Sequence, residues 1–288
     1  MKPKIRGDMM ERVDDFEEAT RLERLDDKRW AVDLREDWGL WSPAGGFISA
    51  LALRGAGEAT RLPRPASMTC HFLRMGKYGP AELHAEILKS GRRSELIRME
   101  LLQEGNVLLM CHVWAVQDEA PGLMHDASRL ENLPTPESLK SYEELHPDRP
   151  APPFLQRFEE RPIKGMPEAG DGARDPELTG LYKFRPRARA ENTFVDTARA
   201  MVLLDTYGWM AQYPTHPEDD PSPWIAPNMD YHYRFHRPTT EAEWLHMRIR
   251  AGIAEGGLMS TDGEIHDLEG RLLVSGTSQL MCLPRPGV

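Results

Sequence analysis

The chain repeats itself. Near residue 45 and again near residue 194, an apolar helical pattern precedes a series of strand-like runs, and the two series match in order. Phe72-Leu73-Arg74 stands opposite Phe235-His236-Arg237 at a step of 163, and Leu83-His84 opposite Leu245-His246 at a step of 162. A tandem duplication follows, and it restricts the fold to designs in which one small unit is built twice. With 288 residues there is enough chain for two cores.

In the first copy, Trp30–Leu34 reads as a strand and Gly45–Ala59 as a helix with Pro43 just ahead of it. Strands are expected over Ser67–Arg74, Ala81–Lys89, Ser94–Gln103 and Val107–Val116, with Glu104-Gly105-Asn106 as the turn between the last two. In the second copy, Phe154–Pro162 and Gly180–Arg187 read as strands and Phe194–Ala211 as a helix. Strands follow over Asn228–Arg237, Trp244–Ile253, Gly257–His266 and Arg271–Leu283, the last two joined by a turn at Asp267–Gly270. The inward faces of the two helices, with Phe47, Leu51 and Ala52 in one and Val202, Leu203 and Met210 in the other, carry few charges. A helix of that kind needs a sheet wrapped around it. The fold class is therefore α+β, a double hot-dog. The Pro-, Gly- and charge-rich middle suits a connector. The expected units are residues 1–120, a connector over 121–151, and residues 152–288.

The 46 acidic against 36 basic residues give a formal charge of −10, which disfavours duplex nucleic acid or an anionic lipid surface as partner. No run of about 18 apolar residues occurs, and the N-terminus is charged without an apolar core, so no membrane span is expected and the location reads as cytoplasmic. Cys70, Cys111 and Cys282 lie in apolar settings without paired spacing and read as buried thiols.

Gly45-Gly46-Phe47, Gly91-Arg92 ahead of a strand ending in Gln103, Phe235-His236-Arg237-Pro238 followed by Trp244, and the C-terminal run from Gly270 to Gln279 occur in order across both copies. Together they resemble the TesB-like acyl-CoA thioesterases, the thioesterase II family, over about residues 28–116 and 152–283. That resemblance implies hydrolysis of a fatty acyl-CoA to a free acid and coenzyme A, with acyl-CoA as partner and no cofactor. It also implies a water held by an Asp on the second helix, a polar residue opening the next long strand, and a Gln on the last strand. By position these are Asp205, Asn228 and Gln279. Two positions depart from the common pattern: Asn rather than Thr or Ser stands at 228, and Leu280 follows Gln279 where the family often has Glu.

The chemistry stands on its own terms. A thioester is already activated, so a carboxylate that takes a proton from water, with two neutral groups orienting that water, can suffice. Asp205 is the expected base. Asn228 and Gln279 carry amides, which both donate and accept. The helix N-terminus opened by Gly45-Gly46 offers free amides to a developing oxyanion, and this substrate-binding role goes to Gly46 and Phe47. When the helices are overlaid, Asp205 falls near Leu53, so only the second copy has a carboxylate there. Rival readings stay open: Asp205 as a surface acid at a helix end, Asn228 as a turn residue, and Gln279 as a structural counterpart of Gln103. Arg74, Lys77, Arg92 and Arg93 are the cluster available for coenzyme A phosphates, with a solvated turn as the alternative. The Pro-rich, acidic stretch Tyr213–Trp224 is a candidate for shaping the acyl tunnel or an interface.

Other chemistries find less support. No strand-to-helix nucleophile elbow surrounds Ser278, no phosphate-binding glycine loop opens a helix, and His232 and His236 on one strand would stand about 13 Å apart, too far for one metal. No metal site is expected. A hot-dog hydratase using His236, or a non-catalytic acyl-CoA or lipid binder, are the alternatives to hydrolysis. Hot-dog sheets commonly pair along their edges, so a homo-oligomer is expected.

Overall fold

A computed structural model describes residues 14–118, 121–167, 172–217 and 222–285; the charged segment before residue 14 lies outside them. The chain opens with the short helix α1 (Phe16–Ala19), capped by Asp15, then strands β1 (Glu23–Arg24) and β2 (Arg29–Leu34). Helix α2 (Gly45–Ala59) leads into β3 (Arg64–Phe72), β4 (Gly79–Ser90), β5 (Ser94–Gln103) and β6 (Asn106–Val116). A connector containing α3 (Tyr142–Leu145) reaches β7 (Phe158–Lys164), β8 (Glu177–Phe184) and helix α4 (Thr193–Gly208). Strands β9 (Trp224–Ile225), β10 (Asn228–Phe235), β11 (Leu245–Glu255), β12 (Leu258–His266), β13 (Leu272–Met281) and β14 (Leu283–Pro284) complete the chain.

Twelve strands form one antiparallel sheet in the order β1-β2-β4-β5-β6-β3-β10-β13-β12-β11-β8-β7. The two copies meet at β3 and β10, where Thr69 faces His232 and its hydroxyl lies 2.8 Å from the ring Nδ1. These two residues are separated by 163 positions, the step seen in the sequence, so an approximate twofold axis passes between them. Ten of the fifteen α2 residues and thirteen of the sixteen in α4 are buried. Helices apolar nearly all round must be sheathed, and each is covered by its own copy's strands while packing on the other helix. This is the double hot-dog arrangement. Two of the charges inside α4 match each other: Arg199 pairs with Asp196 at 2.8 Å and donates to the carbonyls of Ala188, Thr239 and Ala242, while the Thr239 hydroxyl also bonds Asp196.

The β5–β6 hairpin turns at Glu104 and Gly105, whose φ angles of 51° and 76° match the twist of the flanking strands. Strand β3 begins at Arg64 rather than Ser67, β8 spans Glu177–Phe184 rather than Gly180–Arg187, and two further expected elements change character. Phe154–Pro162 begins as a turn over Leu155–Arg157, and the strand starts only at Phe158. This lets Phe154 and Phe158 reach a buried aromatic cluster with Phe16, Trp38, Phe47 and Phe184. The second helix stops at Gly208 and tightens into 3-10 turns over Trp209–Thr215, where Pro214 lacks the amide a longer α-helix needs. The connector is fastened to the second copy. Leu130 bonds Gly270, Arg237 pairs with Asp126, and Arg161 donates to the carbonyls of Pro136 and Leu139. A Cβ at Gly270 would lie 2.0 Å from the Leu130 carbonyl oxygen, and its φ of 76° also favours glycine. Cys70 and Cys111 are buried side by side on β3 and β6, and Cys282 is half-buried.

Candidate active site

Helix α2 starts without the usual cap. Its N-cap residue is Ala44, and no acidic side chain lies in its first turn. The missing anion comes from the other helix: the carboxylate of Asp205 on α4 lies against the Gly45-Gly46 backbone, at the positive end of α2. Such an approach leaves no space for side chains. A Cβ on Gly46 would fall 2.8 Å from the Val202 Cα, and one on Gly45 would fall 2.6 Å from Asp205 Oδ1. The glycine pair therefore exists because two helix backbones cross there. The contact is echoed across the twofold axis, where a Cβ on Gly57 of α2 would meet the Phe194 ring of α4 at 2.7 Å. Residues 148 apart correspond in the two helices. This makes Gly57 the counterpart of Asp205, one turn beyond the expected Leu53, and the first copy still lacks a carboxylate.

Asn228 reaches the same point from β10. Its Nδ2 donates to Asp205 Oδ1 at 2.5 Å. Tyr231, Tyr233 and Phe235 face the core from this strand, so strict alternation would turn Asn228 outward. A bulge between Asn228 and Asp230 reverses it and sets Asn228 opposite the buried Leu280. The Ser278 hydroxyl lies 2.9 Å from Asn228 Oδ1 and 2.7 Å from the Asp230 carbonyl oxygen, and its single proton serves one of them at a time. Burial drives the Asp205 carboxyl up to about 6, with the Gly46 amide and the Asn228 hydrogen bond opposing the shift.

The structure brings Asp205 and Asn228 together and leaves Gln279 apart. Strand β13 turns Ser278 inward, so its neighbour Gln279 points to the other face, where its Oε1 accepts from the Ser260 hydroxyl at 2.9 Å. The third polar group at Asp205 and Asn228 is thus Ser278. Gly46 and Phe47 are also placed differently from expectation. The Gly46 backbone is packed against Val202 and Asp205, and the Phe47 ring is buried against Trp38 at 5.4 Å; Gly45 and Ile48 border the open space instead.

That space is a cavity of about 1670 Å³ reaching Asp205 and Asn228. Its walls are mainly apolar, with Phe72, Met110, Leu155, Trp209, Met210 and Leu280 among them. Tyr213 and Pro217 of the Pro-rich stretch contribute, while residues 218–221 lie outside the described residues. Arg74 is the one member of the expected cationic cluster that lines it. Lys77 pairs with Glu104, and Arg92 and Arg93 sit in the turn at the far end of β4. The other cavity cations are Arg149, Lys164, Arg174 and Arg285. His236, the hydratase candidate, is exposed, bonds Ser275 at 2.9 Å and does not border the cavity.

Comparison with known families decides the relationship. Residues 34–116 match the model of the acyl-CoA thioesterase N-terminal domain, and residues 128–282 match that of the C-terminal domain. The chain belongs to the acyl-CoA thioesterase family. Among solved structures, a hot-dog protein of unknown function from Alicyclobacillus acidocaldarius is 20% identical, with a TM-score of 0.77 over 94% of this chain and 98% of that one. A putative thioesterase II from Thermobifida fusca is 19% identical, with a TM-score of 0.77 over 93% and 97%. An acyl-CoA thioesterase II from Mycobacterium marinum is 18% identical, with a TM-score of 0.76 over 95% and 100%. As an acyl-CoA thioesterase, the protein is a thioester hydrolase. The family signal offered Gln279 but not Ser278, because only the strand's parity in the folded sheet decides which of two adjacent polar residues faces inward. Glu160 was missed as well. It lies on the cavity wall, and its carboxylate accepts from Tyr207 at 2.6 Å and Tyr182 at 3.3 Å.

Proposed function

We propose that the protein hydrolyses fatty acyl-CoA by direct attack of a water that Asp205 deprotonates. The observation that carries this reading is the Asp205–Asn228 pair at the wall of a large apolar cavity. Asp205 Oδ1 is occupied by Asn228, which leaves Oδ2 to accept a proton from water. Asn228 has its amide oriented by Asp205 on one side and Ser278 on the other, so its second N–H is available to a substrate oxygen. The water oxygen forms a bond to the thioester carbon as its proton passes to Asp205. The carbonyl oxygen becomes an oxyanion, stabilised by Asn228 and the positive end of α2. Collapse breaks the carbon–sulfur bond, and the departing thiolate takes the proton back from Asp205. A carboxyl near 6 is suited to both transfers at neutral pH.

In this reading Ser278 orients Asn228, and Gln279 steadies the β12–β13 pairing through Ser260. Arg74, Arg149 and Arg285 border the cavity and make no ion pair among the described residues, which suits them to the phosphates of coenzyme A. Incubation with saturated acyl-CoA of graded chain length and a thiol reagent tests the proposal. Release of free thiol in proportion to enzyme is expected. Binding without release would instead favour a non-catalytic acyl-CoA binder, and loss of enoyl absorbance a hydratase.

A further inference from the structure

Glu160 has no part in the chemistry above, yet its position is costly. It stands half-buried on β7 at the cavity wall, and no cation pairs with it among the described residues. Burial raises its carboxyl above the usual range, while the Tyr207 and Tyr182 hydroxyls pull the other way. An isolated carboxylate in such surroundings weakens a fold relative to an apolar side chain of the same size. Two tyrosines are nonetheless committed to holding it, both buried and packed ring to ring with centroids 4.8 Å apart. Glu160 and Tyr207 both line the cavity that reaches Asp205, so the group shares its space with the proposed reaction centre.

Chemistry limits what such a group can recognise. An ionised carboxylate is an acceptor only, with about four lone-pair positions, and the tyrosines use two of them. The rest are open to a donor arriving through the cavity. Arg74, Arg149, Lys164, Arg174 and Arg285 border that space, so a cationic ligand is disfavoured and a neutral donor fits better. We propose that Glu160, held by Tyr207 and Tyr182, is a specificity-determining residue that accepts a hydrogen bond from a hydroxyl on the acyl chain, making a hydroxylated acyl thioester the preferred substrate. This rests on the reading that the cavity receives the acyl group. A plain alkyl chain would cover the carboxylate and leave its lone pairs unpaired, whereas a hydroxyl at the right carbon would satisfy one.

The test is calorimetric binding of non-hydrolysable acyl-CoA thioethers of one chain length to the full chain. One analogue is unsubstituted, others carry a hydroxyl moved carbon by carbon, and matched controls carry a methoxy group, which cannot donate. One hydroxylated isomer should bind about ten- to a hundred-fold more tightly than the unsubstituted and methoxy analogues. Glu160→Leu should abolish that preference. Equal binding of hydroxyl and methoxy forms would overturn the proposal using wild-type protein alone, even if the variant did not fold. A preference that survives in a folded Glu160→Leu would overturn it as well. Tight binding of the unsubstituted analogue without discrimination would remove this inference and leave the hydrolase reading intact, whereas no binding of any analogue would overturn both.

Discussion

Asp205 balances two opposing influences. Enclosure raises its carboxyl from an ordinary 3.8 to about 6, and the Gly46 amide and the hydrogen bond from Asn228 keep it from rising further. The folded state therefore holds this proton more tightly than the unfolded chain. Ionising Asp205 costs stability as pH rises from about 4 to about 6, and the basic form dominates only above that window. The value of kcat/KM should climb about ten-fold per pH unit below 6 and then level off; a profile flat from pH 4.5 to 7 would contradict Asp205 as base. The neighbouring pair on β13 provides a second test. Ser278→Ala should lower kcat about ten-fold by freeing Asn228 to rotate, while Gln279→Ala should change it by less than about two-fold. The reverse order would return Gln279 to the site. Asp205 was legible because an acid stands out in a helix that must be sheathed. Asn228 was offered by the family resemblance, with a turn residue as its rival, and the bulge that turns it inward was not legible. Ser278 and Gln279 could not be told apart, since adjacent strand residues differ only in the face they present.

At the scale of elements, the crossing of α2 and α4 is the feature on which the site depends, and Gly46 makes it possible. Gly46→Ala should cost about 1–3 kcal/mol, because the added methyl meets backbone at Val202 instead of a side chain that could move. Thermal unfolding reads the loss, and unchanged stability would show that the helices can separate freely. The boundaries of α2 and β5 were readable to the residue, since Pro43 stands just ahead of the first and strand alternation runs through the ten positions of the second. The start of β7 and the end of α4 were less clear. The first is set by where Phe154 and Phe158 meet the aromatic cluster, and the second by Pro214. The connector looked like loose chain because proline and charge dominate it. Its attachments to β7 and to the β12–β13 turn are long-range, and no local pattern announces them.

For the whole molecule, duplication produced two sheathed helices but one carboxylate at their crossing, so the catalytic proposal involves a single site per chain. The cavity cations come from Arg74, the connector, β7 and its following loop, and the C-terminus, parts brought together only by folding. The sheet ends in β1 at one edge and β7 at the other, and pairing of such edges is the basis for expecting self-association. Sedimentation should give a mass above the 32.8 kDa of one chain, and a single-chain mass at micromolar concentration would contradict that expectation. The central claim is that one half-buried carboxylate activates the attacking water. The most direct measurement is kcat for Asp205→Asn on an acyl-CoA that the wild-type protein turns over, alongside the Kd of its thioether analogue. The account predicts that kcat falls by about 10²–10⁴ while Kd stays within a few-fold. Turnover within about ten-fold of wild type, in a variant that binds normally, would contradict it.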